Sequence, residues 1–170
     1  PPPELSASVE CLWVLEGSPN KTARAETVTP DGCIEVIVHL GGRFRRRGEP
    51  SPQPEGFLVG PMTRPLSLET PARVRTVGIR FRPGRAAVLS EVKLTEIRDR
   101  DVALEELSGR PARLLIERLG EARDDSDITS AAAAFISEAS MGRPSADHAV
   151  AGHGPVGRPD RGRPRGRTDV

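Results

Sequence analysis

The sequence predicts an α+β fold with a disordered tail, and three observations carry that prediction. Alternating apolar and polar residues recur in short runs between Val9 and Phe81, the period of half-buried strands. The pattern then changes to helical spacing between Pro83 and Ala139. From Ala151 to the end, five Gly, three Pro and five Arg occupy twenty residues with neither period. Strands first and helices afterwards mean α+β and not alternating α/β.

Val9 to Leu15 reads as a first strand with Cys11, Trp13 and Leu15 on one face. Gly17-Ser18-Pro19-Asn20 is a turn, and Glu26 to Thr29 is a short strand. Pro30-Asp31-Gly32 supplies a bend that starts the next strand at Ile34. Ile34, Val36, Val38 and Leu40 fall on one face of it, and Cys33, Glu35, Ile37 and His39 on the other. The Arg- and Pro-rich stretch from Gly41 to Pro54 is expected to be a mobile hairpin loop. Phe57 to Gly60 and Leu66 to Glu69 are short strands. Val74 to Phe81 is longer, with Val77, Ile79 and Phe81 opposite Thr76, Gly78 and Arg80.

Pro83 to Leu89 is expected to open a helix, with Pro near its first turn. Asp101 to Leu107 is expected to be a short helix with Gly109 beyond it. Pro111 starts another, with Leu114, Leu115, Ile116 and Leu119 as an apolar stripe. The acidic run Asp124 to Asp127 caps a last helix, Ile128 to Ala139. The expected organisation is a domain over 5–120, a linker helix over 121–142 and a disordered tail over 143–170.

Composition narrows the function. Residues 1–142 carry 19 basic and 21 acidic side chains, whereas residues 143–170 carry 6 Arg and 3 Asp. The ordered part is therefore no obvious nucleic-acid surface, and the basic character belongs to the tail. Two cysteines without a secretory signal read as reduced, buried thiols of a cytoplasmic protein. No apolar stretch reaches the length of a membrane span. No nucleophile–base arrangement and no phosphate-cradling glycine loop stands out. Asp31 and Glu35, one in a turn and one in a strand, have nothing that sets their separation as an acid–base pair.

Several short pieces line up in order: Glu10-Cys11-Leu12-Trp13; Pro30 to Glu35 with Leu40-Gly41; Val59-Gly60-Pro61-Met62-Thr63-Arg64-Pro65; Gly78 to Gly84; and Leu94 to Ile97 through Leu104 to Leu107. Over residues 5 to 120 the chain resembles the N-terminal domain of AraC-type transcriptional regulators, in the subgroup with a cupin-like sensor. The resemblance implies a small cupin-like antiparallel β-barrel or sandwich followed by a few helices. It implies a cytoplasmic regulator that is no enzyme, holds no cofactor, and senses a small-molecule effector or dimerises. The family would continue into a pair of helix-turn-helix units that read DNA. Here Gly/Pro/Arg-rich text stands in that place, as out-of-frame reading of GC-rich DNA would produce. A truncated or frame-shifted reader is therefore expected, and with it no specific operator binding by this chain.

The candidate ligand-binding residues are Trp13, Glu35, His39, Arg64 and Arg80. Each has a plainer reading. Trp13 is core or a stacking platform for the effector. Glu35 and His39 are satisfied structure or the wall of a pocket. A metal would need a third protein ligand, and a Cys33/Glu35/His39 set from one strand has little geometric support. Arg80 faces solvent, pairs with Glu35 or Asp31, or joins Arg64 in binding an anion at the barrel mouth. Leu114, Leu115 and Leu119 are the candidate dimer stripe, for a homodimer or a heterodimer with a full-length regulator. The Arg-rich segments 43–47 and 158–167 offer no run of interleaved aromatics (Phe44 stands alone in the first), so loop and tail are the default. Besides the regulator, two readings stay open: a small cupin-like metal protein or enzyme, and a partner-binding module.

Overall fold

The computed structural model describes residues 3, 5–17, 25–86, 89, 93 and 95–141. Among the described residues, eight strands precede three helices: β1 (Val9–Gly17), β2 (Ala25–Val28), β3 (Ile34–His39), β4 (Arg45–Arg46), β5 (Gly56–Val59), β6 (Leu66–Glu69), β7 (Val74–Phe81), β8 (Asp101–Ala103), α1 (Leu104–Ser108), α2 (Arg110–Glu121) and α3 (Asp125–Met141). This is the α+β fold the pattern predicts. The strands form two antiparallel sheets, β1-β7-β3-β5-β8 and β2-β6-β4, and not one closed barrel.

The large sheet has two different faces, set by the period-2 alternation of its strands. In the β3–β7 register, Ile34, Val36 and Val38 stand beside Phe81, Ile79 and Val77. All six are buried and belong to one core cluster with Leu115 and Leu119 of α2 and Ile128, Ala131, Ala132 and Phe135 of α3. The opposite face carries Glu35, Ile37 and His39 beside Arg80, Gly78 and Thr76. That face looks toward the small sheet.

The helices are well marked. Gly109 has φ 54°, a left-handed value that Gly adopts without strain, and it divides α1 from α2. Pro111 sits in the first turn of α2, where its missing N–H costs nothing. The backbone N–H of Asp127 donates to the Asp124 carboxylate (2.9 Å), and the N–H of Arg123 to that of Asp127 (2.9 Å), a reciprocal cap that starts α3. Arg75, from the helix side of β7, donates to the carbonyl of Ala122 just past α2 (3.1 Å).

Four expectations change. Asp101 to Ala103 are a strand and not helix: they pair with Val59 to Phe57 and cover the open edge of β5. The 41–54 connection is not a solvated loop, since it contains β4 and buries Phe44 and Gln53. The stripe proposed for dimerisation is internal: Leu115 and Leu119 are fully buried by the sheet and α3, and Leu114 is half-buried. For the same reason α3 is part of the core and no linker. The helix expected from Pro83 to Leu89 begins as a turn over 83–85, and residues 87 and 88 lie outside the described set, as does the tail.

Candidate functional site

The inner faces of the two sheets enclose a cavity of about 200 Å³. Trp13, Leu15 and Ile37 line it from the large sheet, and Val28, Leu66 and Leu68 from the small one. Phe44 and Met62, from the connections, complete the apolar wall. A wider trough of about 820 Å³ runs between α2 and α3, but it is an open cleft lined by side chains such as Arg118, Glu121 and Asp127. The inter-sheet cavity is where convergent polar groups meet an apolar enclosure, the usual make-up of a small-molecule site.

Trp13 is laid across Gly78. A Cβ on Gly78 would come within 2.0–2.4 Å of the indole, so only glycine permits the close approach. The indole Nε1 donates to Glu35 Oε1 (3.2 Å) two strands away. Arg80 Nε donates to the same oxygen (2.6 Å), and Arg80 Nη2 pairs with Asp31 (3.0 Å). The bond to Glu35 pushes the Arg80 guanidinium further above its ordinary range, against an opposing effect of burial.

A second polar group crosses from one sheet to the other. His39 is buried, with Nδ1 3.1 Å from Thr76 Oγ1 and Nε2 3.3 Å from Gln53 Oε1. Gln53 Nε2 donates to Asp101 Oδ2 (2.9 Å), and Arg46 Nε donates to the same oxygen (2.8 Å). Arg46 Nη2 holds the other Asp101 oxygen, and Nη1 the carbonyl of Asp99 (3.1 Å). A carboxylate only accepts, so the Gln53 amide must turn its oxygen to His39. His39 Nε2 then carries the proton, and Nδ1 accepts from the Thr76 hydroxyl. Burial pushes His39 below its ordinary pKa of 6.5, with the Gln53 bond opposing, which agrees with a neutral ring. Its ring also packs against Phe44 and Phe57, with centroids 5.5 and 5.3 Å apart.

The structure therefore brings together Trp13, Glu35 and His39 of the sequence candidates. Arg80 joins through Glu35 and not as a wall of the cavity. Arg64 is not brought in: it is exposed on the bend at Thr63, whose N–H and hydroxyl donate to Asp99. Those bonds, helped by the nearby Arg64 charge, hold the Asp99 carboxyl below its ordinary value. His39 spends both ring nitrogens on protein partners, and among the described residues no three His, Cys, Asp or Glu side chains are gathered as for a metal. Cys11 and Cys33 are not bonded to each other and are half-buried.

Gln53, Thr76, Arg46 and Asp101 were not singled out from the sequence. Gly78 carried a readable signal, because glycine inside a strand marks a close approach. Gln53 carried none, since a polar residue in a Pro-rich connection looks like any loop residue.

The family model for a domain of unknown function, DUF6597, matches residues 1–103. The chain belongs to the DUF6597 family. The match ends at Ala103, the last residue of β8, so the DUF6597 region contains both sheets and every cavity residue named above. No curated protein and no solved structure matches the chain. Among the described residues, no helix is long and apolar enough to cross a membrane.

Proposed function

We propose that the DUF6597 region here is the effector-sensing part of an AraC-type transcription regulator working in the cytoplasm, with the inter-sheet cavity as its effector site. The observation that carries this reading is the placement of Asp101. Its carboxylate ties Gln53 and Arg46 to the large sheet, and its strand β8 runs without a break into α1. A ligand that draws the small sheet onto the large one would pull on Arg46 and so on the segment that leads into the helices. A sensor needs such a differential contact between its two states. The order of short motifs that resembles AraC-type sensors supports the same reading. Partners, whether a second copy or a full-length regulator, would meet a surface other than the buried face of α2.

Trp13 is the only Trp in the chain and lines the cavity, so its fluorescence reports occupancy directly. A small-molecule panel is expected to contain a compound that shifts Trp13 emission saturably. Amide exchange over residues 104–121 should then slow or quicken on binding. A saturating ligand that leaves exchange in those helices unchanged would reduce the protein to a binding module and defeat the regulatory reading.

A further inference from the structure

The charge around the cavity is one-sided. Two carboxylates, Glu26 and Glu35, line it, and among the described residues no Lys or Arg does. Arg80, bonded to the wall residue Glu35, is occupied by Glu35 and Asp31, and Arg43, whose charge acts on His39, is not among the residues that line the cavity. His39 brings no positive charge, because it is neutral and both its nitrogens are engaged. Arg46 is likewise committed to Asp101. An anion entering here would lose its hydration and meet no free cation among the described lining residues, a cost the apolar wall cannot offset.

For a cation the same features are favourable. Both bonds from Trp13 and Arg80 fall on Glu35 Oε1, and among the described residues no bond falls on Oε2. The Trp13 indole lies against Gly78 and is part of the cavity wall. An indole face beside a carboxylate is a favourable seat for an ammonium group. Leu66, Leu68, Val28 and Phe44 then surround the rest of the ligand. At about 30 Å³ per water, about 200 Å³ holds about seven waters, which suits a single ring or a short chain.

We infer that the cavity selects a small organic amine, bound as its cation between Trp13 and Glu35 with its apolar body against the small sheet. This rests on the cavity being the effector site. The test titrates the protein with benzylamine, benzyl alcohol and benzoate, three probes with one ring and different charge, and follows Trp13 fluorescence. Benzylamine is expected to bind at least about tenfold more tightly than benzoate, with the alcohol between them. Glu35→Gln is expected to weaken benzylamine by about tenfold and leave the alcohol unchanged. Glu26→Gln, at an exposed position of β2, is the second variant should the first disturb folding, and it should weaken benzylamine by a few-fold. Benzoate or the alcohol binding best would overturn the amine inference while the cavity stands as a ligand site. Silence from all three probes would overturn the inference and the cavity reading together.

Discussion

The two faces of the large sheet are built from the same strands yet obey different rules. Toward the helices, Val36, Val38, Val77, Ile79 and Phe81 meet α2 and α3 in an apolar core. Toward the small sheet, the alternate residues of those strands include Glu35, His39, Thr76 and Arg80, each with a named polar partner. Among the described residues no buried side-chain nitrogen or oxygen lacks a hydrogen bond. The helix face is specified by size and shape, because dispersion and burial are non-directional. The inner face is specified by geometry, because a polar group buried without its partner costs more than an apolar one would.

Substitutions can break this contrast. The largest effect is expected on the helix face. Phe135→Ala should cost about 3–5 kcal/mol of stability, read from denaturant unfolding, by leaving a cavity between α3 and the sheet. It should leave Trp13 emission in the folded protein unchanged. A cost under about 1 kcal/mol would mean that α3 is not part of the core. Next comes the link between the sheets. Asp101→Ala leaves Arg46 and Gln53 without their acceptor and should cost about 3 kcal/mol, the lower range for breaking a buried pair. Unlike Phe135→Ala, it should also raise amide exchange in β4, and equal exchange in the two variants would erase the distinction.

Gly78→Ala should cost about 1–3 kcal/mol as an overpacking change. It would lift the indole from its seat, so the emission of the folded protein should move to longer wavelength. Unchanged emission would mean that Trp13 does not depend on Gly78. The smallest effect is the titration of His39. Because its pKa in the folded protein is lowered, the unfolded chain binds more protons near pH 6, so stability should rise with pH through that region. It is fully present above the ordinary value of 6.5 and declines as the pH falls from there toward the lower folded value. Thermal melts between pH 7 and 5 would measure the slope, which His39→Gln should flatten. A slope of the opposite sign would mean that the ring is charged in the folded state.

Much of the helix face was legible in the sequence. That Val36 and Val38 share a face of one strand, and Val77, Ile79 and Phe81 a face of another, follows from period 2 alone, and the Asp124–Asp127 cap follows from helix chemistry. The pairing of Asp101 with Val59 was not legible, because a three-residue edge strand has no pattern of its own and forms only where β5 has an edge to cover. The apolar stripe of α2 was visible, but not its destination. Leu115 and Leu119 suit a partner surface or a core equally well, and only the position of α3 decides between them.

The candidate site divides in the same way. Sequence reasoning placed Glu35 and His39 together because residues i and i+4 of a strand share a face. It put Trp13 on a face of its own strand and offered Asp31 or Glu35 as partners for Arg80, which the structure joins to both. It could not bring Gln53 and Arg46 to His39 and Asp101, since those contacts span from 14 to 55 residues. By itself, then, the sequence determined the element classes and which residues share a face, because both follow from local backbone geometry. The tertiary structure alone decided that one face would become a core and the other a polar-rimmed cavity, because that depends on which distant segment closes over each.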